Sequence, residues 1–328
     1  IYTLISLFLT LTVAITFANH KLFKLPTSIG VMSGSLMLAL AIIIAKNAGF
    51  NAIAIYANQI MSQVDFHALL MKWLLSFLLF AGSLTIDFNQ LKSHAKLISI
   101  VTLFGVIIST IIVGYVINLI LSALGSPLPL IYCFLFGALI SPTDPIAVLA
   151  TFKKYKANKH IRVIIAGESL FNDGVGIVVF FTLFQLTFNA IPITALSISK
   201  LFCQQTLGGL AYGIVIGLIA QKIISESKDY LIAILVTLSI TTAGYSLAMS
   251  LGISGPLAMV VSGIFLSNYA KKGTQEAKVN HMLDTFWEII DEVLNTVLFL
   301  LLGLELITLH LDWNDALASI IAIPVALF

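Results

Sequence analysis

An all-α polytopic membrane protein is what this sequence predicts, with ten complete spans, a partial eleventh and at least one discontinuous helix. Three observations carry that reading. Of the 328 residues, 59% are hydrophobic and only 10% are charged, whereas soluble domains carry roughly 25% charged residues. The hydrophobic residues gather into runs long enough to cross a hydrocarbon core of about 30 Å, which takes roughly 20 helical residues. The few basic residues fall on alternate sides of those runs, as the positive-inside rule requires of a multispanning chain.

Taken in order, the runs lie at about 1–19, 26–46, 66–86, 96–122, 128–152, 162–188, 200–222, 229–250, 253–270 and 282–307. An eleventh begins near 313. Lys21 and Lys24 follow span 1, and Lys92 and Lys96 follow span 3. Lys153, Lys154, Lys156, Lys159 and Arg162 follow span 5; Lys222 and Lys228 follow span 7; Lys271, Lys272 and Lys278 follow span 9. Of the 17 Lys and Arg, only Lys46, Lys72 and Lys200 belong to the other side. The odd-numbered connections are therefore expected in the cytoplasm, with the chain entering from outside. No soluble domain fits between the spans, so residues 1–328 read as a single transmembrane domain. The chain begins and stops inside apolar runs, which predicts a sequence cut at both ends with its C-terminal spans missing. Span 2 opens PTSIGVMSG and span 9 opens GPLAMVVSG from opposite faces, the relation that inverted repeats require. Proline near a helix start and small residues at packing faces account for the same letters without a repeat.

Most of the 15 Asp and Glu lie at span ends or in connections; Asp144, Glu168 and Asp173 do not. Span 5 contains SPTDP, residues 141–145. Pro142 and Pro145 donate no N–H, and each ring clashes with the carbonyl four residues earlier. Ser141 and Asp144, which precede them, are pushed toward extended geometry. A break across about 141–145 follows, with unpaired carbonyls near 138–141, and unwound backbone at membrane depth is tolerated only in protein or beside a water-filled cavity. Asp144 has two readings, an ion contact or an N-cap of the second half-helix with Pro145 at the first helical position.

Span 6 places Asp173 about 11 residues past Arg162, or about 16 Å along a helix and near the midplane. Glu168, Ser169, Asn172, Asp173 and Gly176 share one face of that helix, a polar stripe with a gap where another backbone can approach. Intramembrane carboxylates are costly unless watered, paired or protonated, so function is the default reading. A structural hydrogen bond inside the bundle is the plainer alternative for Asp173 and Asn172, and pairing with Arg162 or a lysine is the one for Glu168.

On span 10, Asp284, Glu288, Asp291 and Asn295 follow helical spacing and could line a cytoplasmic entrance that attracts cations, or simply form a solvated helix end. Glu305 sits near the outer end, where an interfacial position accounts for it. Cys133 and Cys203 lie in apolar runs and are expected to be reduced, packed thiols. The six His lie near span ends or in loops, so paired-His metal binding is not expected, and the glycines form no phosphate loop or other cofactor motif. The net charge of +2 gives no argument for nucleic acid.

SPTDP (141–145), GESLFNDG (167–174) and FWEIIDEVLNTVLFLLLGLEL (286–306) resemble, in order, spacing and orientation, the monovalent cation:proton antiporter family of the sodium/proton exchanger and NhaP type. The resemblance covers essentially the whole chain. It implies a NhaA-like inverted-repeat fold with discontinuous helices, 13 spans in all, and a homodimer in the cell (inner) membrane. It also implies sodium/proton exchange without cofactors. Asp173 would then be the carboxylate that alternately holds a proton or a sodium ion. Ser169 and Thr143 would be further sodium ligands, Asp144 would tune the site, and Glu168 would order Asn172. Span 5 would cross a second broken helix, span 12, and the family's basic residue on span 11 would lie past Phe328. Asn172 resembles the branch in which exchange is electroneutral. Potassium is a close alternative to sodium. A cation channel and an intramembrane aspartyl protease built on Asp144 and Asp173 are more distant ones; FNDGVG lacks the GxGD pattern of such proteases.

Overall fold

The computed structural model describes residues 2–63, 65–86, 88–125, 127–143, 152, 159–188, 192, 194–269, 274–308, 320 and 322–325. Every regular element among them is helical. In chain order the helices are α1 (Tyr2–Ala18), α2 (Thr27–Asn47), α3 (Asn51–Met61), α4 (Phe66–Ala68), α5 (Leu75–Leu84), α6 (Phe88–Ala123) and α7 (Leu130–Ile140). There follow α8 (Lys159–Phe188), α9 (Ala195–Ser227), α10 (Tyr230–Ser239), α11 (Tyr245–Ser250), α12 (Gly255–Tyr269) and α13 (Thr274–Glu305). Among the described residues six helices are long and apolar enough to cross a membrane, and Leu69–Leu84, Leu130–Ile140 and Gly255–Ser267 are shorter apolar helices.

Three features depart from the sequence expectation. The connection after span 2 contains α3, an 11-residue helix too short to cross a membrane, of which Met61 is buried. Three π-helical turns, Asn19–Phe23, Leu69–Leu74 and Ile240–Gly244, lie inside or at the end of predicted spans. Such turns are not visible as a break in hydrophobicity; the last one finds a donor for the Gly244 carbonyl in the Tyr212 hydroxyl at 3.0 Å. Cys203 is exposed, not packed, because α9 buries its glycine face instead; Cys133 is buried, and both thiols are free.

The chain divides into two compact units, Ile1–Leu78 with Phe286–Leu311, and Leu79–Thr285 with Asp312–Phe328. In the first, Phe8, Val31, Ala39, Met61, Leu300, Leu301, Leu304 and Ile307 form the apolar core. Asn19 is buried at the end of α1 and brackets the following connection, donating to the Leu25 carbonyl at 2.9 Å and accepting from the Leu25 N–H at 3.3 Å. Ser35 of α2 packs on Gly303 of α13 and reaches the Phe299 carbonyl at 3.2 Å. In the second unit, Gly263 of α12 packs on Ser83 of α5. The two stretches that look alike in sequence end differently: Gly34, at the end of the first, meets the Ile15 side chain, whereas Gly263, at the end of the second, meets Ser83.

α9 and α12 meet along a glycine ladder. A methyl group on Gly209 would fall 2.8 Å from the Ser254 carbonyl oxygen, one on Gly213 2.7 Å from that of Ala258, and one on Gly217 3.2 Å from that of Ser262. Backbone cannot yield as a flexible side chain can, so overpacking here forces the helices apart. Gly213→Leu is expected to cost about 2–3 kcal/mol and to lower the thermal midpoint in detergent by several degrees; an unchanged midpoint would contradict so tight a crossing.

Candidate functional site

The prolines of span 5 end α7 after 11 residues, about 16 Å or half a bilayer. Ser141 closes that helix twice over: its N–H donates to the Gly137 carbonyl at 3.0 Å and its hydroxyl to the same oxygen at 2.6 Å. Pro142 has no N–H for the Ala138 carbonyl, and Thr143 lies outside any helix. The expected break is therefore present at 141–143. Asp144 and Pro145, its other half, lie outside the described residues.

α8 approaches the break with its polar stripe. Among the six long apolar helices of the described residues α8 is the most interior: 44% of its most apolar part is buried, against 17% for Leu4–Phe23. Three glycines let neighbours in: Gly167 faces Leu91 and Ile98 of α6, Gly174 faces Leu257 of α12, and Gly176 lies directly against the Pro142 ring. Gly176 is thus the gap in the stripe, and the backbone that approaches it is the broken segment.

The contacts across the gap are specific. The Ser169 hydroxyl donates to the Thr143 carbonyl oxygen at 3.1 Å. The Asn172 amide nitrogen donates to the Thr143 hydroxyl oxygen and to Glu168 Oε1, each at 3.1 Å. The amide thus presents its nitrogen to the Glu168 carboxyl group and to Thr143. Asn172 is 2% exposed, and its Oδ1 has no hydrogen-bond partner among the described residues. Such a buried orphan acceptor is uncommon and calls for a cation, a water or a proton donor. Asp173, next along α8, is half-buried. The site thus gathers Thr143, Glu168, Ser169 and Asn172 by direct contact, with Pro142 seated on Gly176.

Glu288 is exposed, and Asp291 and Asn295 are half-buried, on the part of α13 that belongs to the first unit; by helical spacing they share a face. Glu305 accepts from the Thr308 hydroxyl at 3.0 Å. Two residues of α6 went unnoticed in the sequence: Thr102, whose hydroxyl is 3.5 Å from the Glu168 carbonyl oxygen, and Thr110, 3.2 Å from the Ser141 hydroxyl. Their only signal is two threonines about two turns apart in an apolar run, a weak one because threonine commonly satisfies itself within its own helix.

Oxygen donors at a helix break beside an intramembrane aspartate suit a monovalent cation. Comparison with known proteins agrees with the geometry. The family model described as sodium/hydrogen exchanger, transmembrane, matches residues 7–328. The chain belongs to the sodium/hydrogen exchanger family. It is 36% identical over 316 residues to the Na(+)/H(+) antiporter NhaP of Pseudomonas aeruginosa, covering 96% of this chain and 74% of that one. Its identity to the Na(+)/H(+) antiporter NhaH of Halobacillus dabanensis is 28% over 331 residues, 99% of this chain and 79% of the other. The solved sodium proton antiporter MjNhaP1 of Methanocaldococcus jannaschii superposes with a TM-score of 0.65 at 22% identity, covering 91% of this chain and 68% of that one. That likeness establishes the exchanger fold: a multi-pass, all-helical membrane protein. This exchanger family is one of transporters rather than catalytic enzymes.

Proposed function

We propose that this exchanger carries sodium or lithium one way and protons the other, by competition of cation and proton for Asp173. What carries the reading is the contact of the helix break with the polar stripe of α8, through Ser169 to the Thr143 carbonyl and Asn172 to the Thr143 hydroxyl. Sodium would be held by Asp173, Ser169 and Thr143, with Asn172 beside them. Asp144 tunes the charge of the site, Glu168 holds Asn172 in place, and Pro142 and Pro145 withhold the N–H donors that a continuous helix would need. Glu288, Asp291 and Asn295 line the cytoplasmic entrance. The protein works as a homodimer in the cell (inner) membrane, its odd-numbered connections cytoplasmic; the lysine pattern supports the orientation and the family resemblance supports the dimer.

The mechanism follows from one carboxylate that cannot hold both ligands. A deprotonated Asp173 takes the cation; protonation removes the charge and ejects it. If the site reorients only when occupied, a proton gradient drives the cation the other way. One charge exchanged for one charge predicts that no net current flows. The test is the full-length protein reconstituted into vesicles, with the internal pH followed while sodium, lithium or potassium is titrated outside. Sodium and lithium are expected to elicit saturable proton movement that is unaffected by an imposed membrane potential. A potassium response as strong as that to sodium would favour the potassium/proton reading, and sensitivity to the potential would refute one-for-one exchange.

A further inference from the structure

We propose that Thr110 of α6 is a positioning residue for the cation site, acting through Ser141 on the end of the broken helix. The inference rests on the exchange reading above. Ser141 has one hydroxyl hydrogen, and the 2.6 Å contact with the Gly137 carbonyl takes it. The 3.2 Å contact between Thr110 Oγ1 and Ser141 Oγ therefore has Thr110 as donor. Both residues are buried. Many threonines in these helices return the hydroxyl to the carbonyl one turn back, as Thr182 does to Val178 at 2.7 Å and Thr187 to Leu183 at 2.7 Å, whereas Thr102 of α6 faces the Glu168 carbonyl oxygen of α8. Thr110 likewise reaches across, to the residue that closes α7.

The backbone makes that contact consequential. A methyl group on Gly137 would lie 2.5 Å from the Thr110 carbonyl oxygen and 3.2 Å from the Gly114 nitrogen, so α6 and α7 touch main chain to main chain at the residue Ser141 caps. Pro142 contributes no N–H to the last turn, which leaves Ser141 to close it. Two residues further on, Thr143 presents the carbonyl that Ser169 meets and the hydroxyl that Asn172 meets. The chain of contacts Thr110–Ser141–Gly137 thus sets the direction in which the backbone leaves α7, and so where the Thr143 oxygens stand.

The test is Thr110→Val, which keeps the shape and removes the hydroxyl, beside Thr110→Ser, which keeps the hydroxyl. In reconstituted vesicles Thr110→Val is expected to raise the apparent KM for sodium about three- to tenfold, with the maximal rate within about twofold of the native protein. Thr110→Ser is expected to restore the native KM. An unchanged KM in Thr110→Val overturns the proposal, as does an equal shift in Thr110→Ser, which would assign the effect to packing. If Thr110→Val accumulates poorly, Ser141→Ala made alone and combined with Thr110→Ser keeps the proposal testable. If Thr110 acts through Ser141, swapping threonine for serine adds nothing to the Ser141→Ala shift; an added shift overturns it. Absence of sodium-driven exchange in the native protein overturns the underlying reading and this one with it, whereas exchange with an unmoved KM overturns this one alone.

Discussion

Asp173→Asn is expected to abolish sodium-driven proton movement, a fall of at least about a hundredfold, while the protein remains folded. A unit charge beside a cation at about 4 Å is worth about 4 kcal/mol at the intermediate dielectric of a partly wet site, and every 1.4 kcal/mol is a factor of ten in affinity. Asparagine keeps the size of the side chain and a carbonyl oxygen, so geometry alone does not rescue it. Stability should hold or rise, because a half-buried carboxylate in a membrane is costly to keep charged. In the proposed mechanism Asp173 also carries the proton, so neither half of the exchange is expected to survive in the variant. In the native protein the same competition fixes the sign of the pH dependence: as pH falls, protonation of Asp173 excludes sodium, and the apparent KM for sodium rises. Continued sodium-driven pH change in Asp173→Asn vesicles would remove Asp173 from the centre of the mechanism.

Gly176→Leu is expected to reduce exchange more than tenfold through the backbone rather than through charge. Leucine improves on glycine in a helix by about 1 kcal/mol, whereas forcing a side chain into a packed contact costs about 1–3 kcal/mol. Here the obstacle is the Pro142 ring, with the Ala138 carbonyl oxygen just beyond it, and neither can rotate away. The clash wins, and it pushes the helix break off α8. The 3.1 Å contact of Ser169 with the Thr143 carbonyl cannot survive such a displacement, because ligand geometry tolerates only about 0.5 Å. Gly105→Ala is the control: nothing lies within 4 Å of a methyl group there, so helix propensity alone predicts a neutral or slightly stabilised protein with native exchange. Equal loss in both variants would mean that glycine in these helices matters generally and that the contact with Pro142 is not special.

That the chain is all-helical and crosses the membrane several times was legible because the bilayer acts on composition directly. Every stretch of about 20 apolar residues has one low-energy home. SPTDP was legible for a similar reason: proline removes a donor whatever surrounds it, and α7 does end at Ile140. The stripe Glu168, Ser169, Asn172, Asp173, Gly176 followed from the 3.6-residue period. The π-helical turns and α3 did not follow, because their segments are no less apolar or polar than ordinary helix and connection. Cys203 was misread for the same reason: an apolar run says that a helix is in the membrane but not which face meets lipid.

By itself the sequence determined an all-helical exchanger fold, the place where a helix must break, and a carboxylate at membrane depth near that break. Those properties are local, set by a residue's own chemistry and by the solvent around the helix. Only the tertiary structure decided that Gly176 receives the Pro142 ring, that Asn172 bridges Thr143 and Glu168 with its Oδ1 left without a partner among the described residues, and that Thr110 meets Ser141. Apart from Asn172–Glu168, one turn apart on α8, these contacts join residues 29 to 34 positions apart, and the rotation and height of each helix in such a crossing come from packing that no single segment encodes.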